Sequence, residues 1–286
     1  MPPLFRYQRS SSFGSLVWAL WLHLPPTWRG AAYRLLIRLR GEEIPFSYAH
    51  RLPWFYAKLC WSVDEALATE HIRTHTAIPV PYILDVVPSG CANRPWLMIS
   101  SALSGRPLFA NGTGHRLIHA SEPQLQRIKD DLRGWIAQLR ALRSPYGGRV
   151  CGFAGGPLRS FRAGEEPVGP FDSIVEFHSQ DFCVVAPPVR PRFAELTATR
   201  NKRAYTICLV HGDLLLHNLL ADEDFRLTGM IDLESAAWMP EYWETLSSSR
   251  SHYWRMWCWK DILHDVFPQY EEELELDREI QTSRGD

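Results

Sequence analysis

His211, Asp213, Asn218 and Asp232 are the residues of this sequence whose types and spacing fit a reaction. Asp213 follows His211 by two positions and precedes Asn218 by five, directly behind the run Tyr205-Thr206-Ile207-Cys208-Leu209-Val210, which reads as a buried strand. A short tight loop after a strand can aim a carboxylate at a substrate hydroxyl and turn an amide oxygen back towards a cation. Fourteen residues beyond Asn218, the period-two stretch Phe225, Leu227, Gly229, Ile231 predicts a second strand ending on Asp232, where a hairpin returns another carboxylate. Together these groups supply what phosphoryl transfer to a hydroxyl asks of a protein. The His-x-Asp-x-x-x-x-Asn spacing resembles that of a kinase catalytic loop, which implies Asp213 as the proton acceptor and Asn218 and Asp232 as hard oxygen ligands for magnesium. His211 is read as a brace for the loop and not as a base.

Upstream, residues 31–60 carry short apolar runs broken by Gly41 and Pro45, and end in the aromatic-rich stretch Trp54 to Cys60, so a β-rich start is expected. Ser62-Val63-Asp64-Glu65 fits a capping box, and the helix it opens must stop before Pro79 and Pro81. The stretches 82–87 and 96–99 predict two strands around a polar turn at 88–95. The clearest helix is 122–143, where Leu125, Ile128, Leu132, Trp135, Leu139 and Leu142 form a core stripe behind a second capping box, Ser121-Glu122-Pro123-Gln124. Residues 144–200, rich in Gly and Pro, read as loops and inserted structure with a short helix between Phe171 and Phe182. The remainder, 240–285, is aromatic-rich and helical in pattern, and carries the acidic run Glu271 to Asp277.

His211-Gly212-Asp213-Leu214, Ile231-Asp232-Leu233-Glu234 and Pro240-Glu241-Tyr242-Trp243-Glu244, in this order and spacing, resemble the aminoglycoside phosphotransferase and choline kinase family, especially its fungal members. Weaker likeness runs upstream through Ile78-Pro79-Val80-Pro81, Ser104-Gly105-Arg106-Pro107-Leu108 and the 122–143 helix, so it spans about Leu52 to Trp243. The resemblance implies an α+β, bilobal, protein-kinase-like fold that binds ATP between a small β-rich N-lobe and a larger, mostly helical C-lobe. Its expected boundaries are an N-terminal helical extension over 1–30, the N-lobe with nucleotide-binding sheet and hinge over 31–103, and the C-lobe over 104–286. It further implies that Lys58 holds the α- and β-phosphates, that Glu65 fixes Lys58, and that Met98 to Leu103 form the adenine-binding hinge. Lys58 is the only lysine between the N-terminus and residue 128, although a solvated strand-edge lysine would look the same. Glu65 is equally explained by the capping box.

This sequence departs from the family pattern in three places. No glycine-rich loop precedes Lys58, which leaves residues 41–52 to cover the phosphates. Leu233 replaces a tryptophan common in the fungal version, and Leu214-Leu215-Leu216-His217 makes the catalytic loop unusually apolar, which points to a different substrate choice. Glu234 is read either as a residue near a second metal or as a turn cap, and His71 and His75 as exposed polar positions lacking a third metal ligand. The acidic run is read as a solvated helix face, with a wall for a cationic acceptor as its alternative. Only seven residues separate Asp232 from Pro240, too few for a protein-kinase activation segment.

Composition limits the partner. With 286 residues, 45% of them hydrophobic, the chain can bury a large core in one or two domains. Lys and Arg total 31 against 32 Asp and Glu, so no overall basic field exists for nucleic acid or an anionic membrane, and a small-molecule acceptor is expected. The six cysteines lack paired short spacings, which fits reduced thiols and a cytoplasmic location. Arg6 and Arg9 ahead of the apolar stretch 16–22 imitate a secretory signal, but that stretch is too short to cross a bilayer and His23-Leu24-Pro25-Pro26 offers no cleavage site, so a packed helix is expected. The reading is therefore an ATP- and magnesium-dependent small-molecule kinase, with a pseudokinase-like nucleotide-binding or scaffold protein as the alternative.

Overall fold

A computed structural model describes residues 12–44, 47–110, 114–164, 166–249 and 257–284, and the flanking Arg6 and Arg9 lie outside them. The chain divides into two compact units, one of Met1–Ser104 with Gly229–Glu234, the other of Gly105–Thr228 with Ser235–Asp286.

The first unit opens with two helices, α1 (Ser12–His23) and α2 (Pro26–Arg40). Pro26 at the first position of α2 supplies a preset helical φ and lacks only an N–H that the helix would leave unpaired. The strands expected from residue 31 therefore begin only at β1 (Glu42–Glu43), because the apolar spacing of Tyr33, Leu36 and Ile37 is helical and not alternating. β2 (Ala49–Arg51), β3 (Tyr56–Cys60), α3 (Asp64–His75), β4 (Ile83–Pro88) and β5 (Trp96–Ser100) follow. The strands form an antiparallel sheet in the order β1-β2-β3-β5-β4.

Period-two alternation sorts that sheet into two faces. Ala57, Val87, Leu97 and Ile99 pack with Leu52 and Tyr33, and with the partly buried Trp21, Leu36 and Ile37 of the helices. Cys60 and Met98, on the other face, pack against Ala66 of α3. Lys58 pairs with Met98 across β3 and β5, so its side chain emerges on the α3 face. Arg29 pins α2 to β4 through a buried bidentate ion pair with Asp85, at 2.9 and 3.0 Å, to which the Tyr33 hydroxyl donates at 3.0 Å. Each fully buried Val, Leu, Ile or Met side chain in these layers contributes about 1.5–3 kcal/mol.

The second unit begins with β6 (Arg106–Pro107), β7 (Phe109–Ala110) and β8 (Gly114–His115), the last two forming a hairpin. α4 (Glu122–Ala141) follows, and the Gln124 side chain accepts from the Ser121 backbone N–H at 2.9 Å, as the second capping box predicts. Then come β9 (Cys151–Gly152), α5 (Ile174–His178) and α6 (Pro191–Lys202). α6 occupies part of the stretch read as loops, although Pro191 at its first turn is a start signal. β10 (Ile207–Val210), β11 (Leu219–Ala221), β12 (Leu227–Met230) and β13 (Ala237–Pro240) complete two small sheets, β10-β13-β9 and β12-β11-β6. β11 and β13 have no counterpart in the sequence pattern, since they are three and four residues long and buried throughout, and so show no alternation. Gly229–Glu234, from the end of β12 onward, belong to the first unit and carry Asp232 there.

The chain ends in α7 (Trp243–Ser248), α8 (Trp257–Val266) and α9 (Glu271–Arg284). The acidic run is only partly a solvated face: Glu271 and Glu272 are exposed, whereas Glu273 and Asp277 are buried. On α9, Glu275 meets Arg192 of α6 at 3.0 Å, Glu279 meets Arg190 just before that helix at 2.5 Å, Glu272 and Glu273 meet Arg203, and Asp277 meets Arg162 at 2.7 Å. Glu272, Glu273, Glu275 and Asp277 thus pair with arginines of the same unit.

Candidate active site

The first unit gathers three of the five expected site residues. β3 presents Lys58, the first turn of α3 presents Glu65, and the chain just past β12 presents Asp232. The Lys58 ammonium donates to Glu65 Oε1 at 2.8 Å and to Asp232 Oδ1 at 2.7 Å, with Glu234 Oε2 at 3.6 Å. Burial alone would lower the Lys58 pKa, but the charges of Asp232, Glu65 and Glu234 outweigh it and hold the ammonium well above the ordinary lysine range. Asp232 adopts φ 65°, the left-handed region that costs a non-glycine residue free energy, and this conformation accompanies its contact with Lys58.

Glu65 does not complete a capping box. Val63 is the N-cap, Ser62 Oγ accepts from the Asp64 N–H, and the Glu65 carboxylate faces Lys58 on one oxygen and the Cys60 thiol on the other, at 3.3 Å. Of the two readings of Glu65, the ion pair is the one realised.

Arg94, which sequence reasoning passes over, completes this cluster. Its guanidinium lies over the Tyr48 ring at 3.4 Å and the Trp61 ring at 4.4 Å, donates to the Leu59 carbonyl at 3.0 Å, and reaches Glu234 Oε2 at 3.5 Å. Nothing in the turn Ser89 to Pro95 marks this arginine as different from any surface arginine, so the sequence carries no signal for it. Glu65, Asp232 and Glu234 hold carboxylate oxygens within 4.8 Å of one another, and among the described residues they are the group with the spacing of a cation site. His71 and His75 instead stack on each other, with ring centroids 4.2 Å apart.

The second unit holds Asp213 and Asn218 on the loop between β10 and β11. Asn218 Nδ2 donates to the Asp213 carbonyl at 2.9 Å and to Asp213 Oδ2 at 3.2 Å, so the two side chains expected to cooperate are in direct contact. His211 is fully buried and accepts from the Asp213 N–H on Nδ1 at 3.2 Å, as a brace should. Gly212 has φ +79°, and a Cβ there would lie 2.4 Å from the Ser235 carbonyl oxygen, so only glycine fits this turn. Leu214, Leu215 and Leu216 are all buried, so the apolar run of the loop packs into the core.

Glu244, the last residue of the Pro-Glu-Tyr-Trp-Glu stretch, anchors the loop from below. Its buried carboxylate accepts from the N–H groups of His211, at 2.5 Å, and Gly212, at 3.2 Å. Burial raises its pKa, opposed by His211 and by these two backbone bonds. The motif containing Glu244 is legible in the sequence, but its contact with the loop depends on tertiary folding.

Residues 64–279 match the model of the phosphotransferase enzyme family known as APH. No curated protein sequence matches the chain. The fold is shared with solved aminoglycoside phosphotransferases. APH(4)-Ia is 16% identical with a TM-score of 0.55, covering 87% of each chain. A GDP complex of aminoglycoside 2'-phosphotransferase-IIIa is 16% identical with a TM-score of 0.54, covering 89% of this chain and 86% of that one. A ternary complex of a thermostable APH(4)-Ia mutant with ADP and hygromycin B is 17% identical with a TM-score of 0.51, covering 86% and 87%. The α+β, protein-kinase-like architecture implied by the motifs is therefore the one observed, and with three quarters of its length matched, this chain belongs to the phosphotransferase enzyme family.

Proposed function

We propose that the protein transfers the γ-phosphoryl group of ATP to a hydroxyl of a small-molecule acceptor in a magnesium-dependent reaction. The observation that carries this reading is a partly buried lysine held at 2.8 and 2.7 Å by two carboxylates, one from a helix and one from the end of a strand hairpin. Lys58 then binds phosphate oxygens as a fixed positive charge, and Glu65 keeps its ammonium in place while it does so. Asp213 accepts the hydroxyl proton as the acceptor oxygen bonds to phosphorus and the bond to ADP breaks.

The residues fit magnesium by donor chemistry, since carboxylate and amide oxygens are the ligands this ion prefers. Asp232 and Asn218 are the residues that would hold it, and Asn218 commits its Nδ2 to Asp213, which leaves the amide oxygen for a cation. When bound, the ion neutralises charge on the phosphates. The solved relatives with ADP or GDP support a nucleotide substrate. All six cysteines are unbridged, which supports a reducing, cytoplasmic setting.

The test is acceptor-dependent ADP formation with Mg-ATP across a library of hydroxyl metabolites. Turnover with one acceptor class supports the proposal. Thermal stabilisation by Mg-ATP without turnover on any acceptor would favour the pseudokinase-like alternative.

A further inference from the structure

We propose that the outer faces of α1 and α2 dock the protein on an anionic lipid surface. The chain is nearly neutral as a whole, but its charge is unevenly spread. Residues 1–41 contain no Asp or Glu and six arginines, Arg6, Arg9, Arg29, Arg34, Arg38 and Arg40, leaving 25 basic against 32 acidic residues in the rest. The overall balance, from which no membrane contact is expected, does not describe this segment.

The same segment exposes large apolar side chains. Trp28, Leu35 and Leu39 of α2 are 68%, 58% and 69% exposed. Spaced by seven and four residues, they fall on one face of the helix, opposite the face through which Arg29 and Tyr33 bind the sheet. α1 and the residue following it repeat the pattern with Val17, Leu20 and Leu24, at 52%, 61% and 39%. A helix apolar on its inner face needs nothing more from its own fold. A second apolar stripe facing outward is the mark of an interaction site.

Charge selects the occupant. Arg38 and Arg40 are exposed in the last turn of α2, and one turn earlier Arg34 directs its guanidinium to the carbonyls of Pro88 and Ser89. By helical spacing Arg38 flanks the Trp28, Leu35 and Leu39 stripe, while Arg40 leaves the exposed end of the helix on the Tyr33 side. A cation beside the stripe suits the headgroup boundary, where the apolar side chains enter the acyl region and arginine meets anionic headgroups. The helices lie on such a surface and do not cross it. At 15 residues, α2 extends about 22 Å, short of the roughly 30 Å hydrocarbon core, and no helix among the described residues is long and apolar enough to span. The cytoplasmic leaflet, with its anionic lipids, is the source this charge fits.

The test is co-sedimentation of the full chain with phosphatidylcholine vesicles, with and without phosphatidylserine. Binding should require phosphatidylserine and weaken with salt. Arg38→Gln with Arg40→Gln should weaken it roughly 25-fold, at about fivefold per surface charge. Trp28→Ser with Leu35→Ser and Leu39→Ser should abolish it, and because all five positions are exposed, the melting temperatures should stay unchanged. No binding to either vesicle, equal binding to both, or undiminished binding by the variants would each overturn the proposal. Self-association that disappears in the triple variant, without vesicle binding, would assign the face to a second copy of the chain and overturn it as well. A lack of phosphotransferase activity in the wild-type protein would leave this outcome untouched, since the face shares no residue with the candidate site.

Discussion

Lys58 Nζ lies 2.7 Å from Asp232 Oδ1, joining two residues 174 positions apart through a single ammonium. That lysine is the counter-charge for Asp232, Glu65 and Glu234 together. Lys58→Met keeps the apolar stem and removes the charge. The variant should lose most of the Mg-ATP-induced rise in melting temperature, which reflects native-state binding through RT ln(1 + [L]/Kd). Equal shifts in the variant and the wild type, read by differential scanning fluorimetry, would remove Lys58 from the nucleotide site.

Arg94 is the second cation of this cluster, and its aromatic sandwich makes it a rigid one. Arg94→Met should cost about 1–3 kcal/mol of stability, from the lost stacking and the lost bond to the Leu59 carbonyl. It should also weaken Mg-ATP binding several-fold, because Glu234 then competes with phosphate for Lys58 without a partner of its own. Arg94→Lys, which keeps the charge but loses the planar stack, should restore only part of the affinity. Unchanged calorimetric affinity in Arg94→Met would make Arg94 a purely structural residue.

The catalytic loop and the strand before it were legible because their information is local: a buried apolar run, a glycine at positive φ, and side chains within eight residues of one another. Glu65 was ambiguous because a capping box and an ion pair use the same residue at the same position, and only the approach of Lys58 decides between them. Arg94 and Glu244 act through contacts with residues 35 to 140 and 32 to 33 positions away, which no local pattern encodes. α6 was hidden by the prolines before it, although one of them opens the helix. The pairing of the acidic run with arginines of the same unit was invisible for the same reason as Arg94.

His178 provides a pH-dependent reading of the second unit. Buried and in contact with the Tyr242 hydroxyl at 2.8 Å, it has its pKa lowered to about 4, first by burial and then by the Arg200 charge. Its folded value lies below the unfolded one of about 6.5, so the unfolded chain takes up the proton first and stability falls as pH drops between these values. His178→Gln removes the titrating group. The difference in unfolding free energy between wild type and variant should therefore shrink by up to about 3 kcal/mol from pH 7 to pH 4, measured by urea denaturation. A constant difference over that range would mean that His178 titrates normally.

Glu244 holds the backbone of His211 and Gly212 with one carboxylate, a bond pair that a glutamine cannot reproduce because its amide nitrogen meets one of the two N–H donors. Glu244→Gln should destabilise the protein by about 1–3 kcal/mol, the penalty for leaving a buried donor unpaired. It should also lower kcat more than it changes the affinity for Mg-ATP, because the disturbed residues belong to the loop that carries Asp213. A loss confined to KM for ATP would contradict this assignment.

Asp213 is the residue whose replacement separates chemistry from binding most cleanly. Asp213→Asn is a nearly isosteric change, and the carbonyl oxygen of the new amide can still accept from Asn218 Nδ2, so the variant should preserve the loop and the melting temperature. What the variant loses is basicity, since an amide cannot take a proton from a hydroxyl. Turnover should fall by about 10²–10⁴-fold, the usual contribution of a positioned general base. The Mg-ATP-induced thermal shift should persist, because Lys58, Asp232 and Asn218 are unchanged. Retained turnover would exclude Asp213 as the base, and a lost thermal shift with normal folding would assign it to nucleotide binding instead.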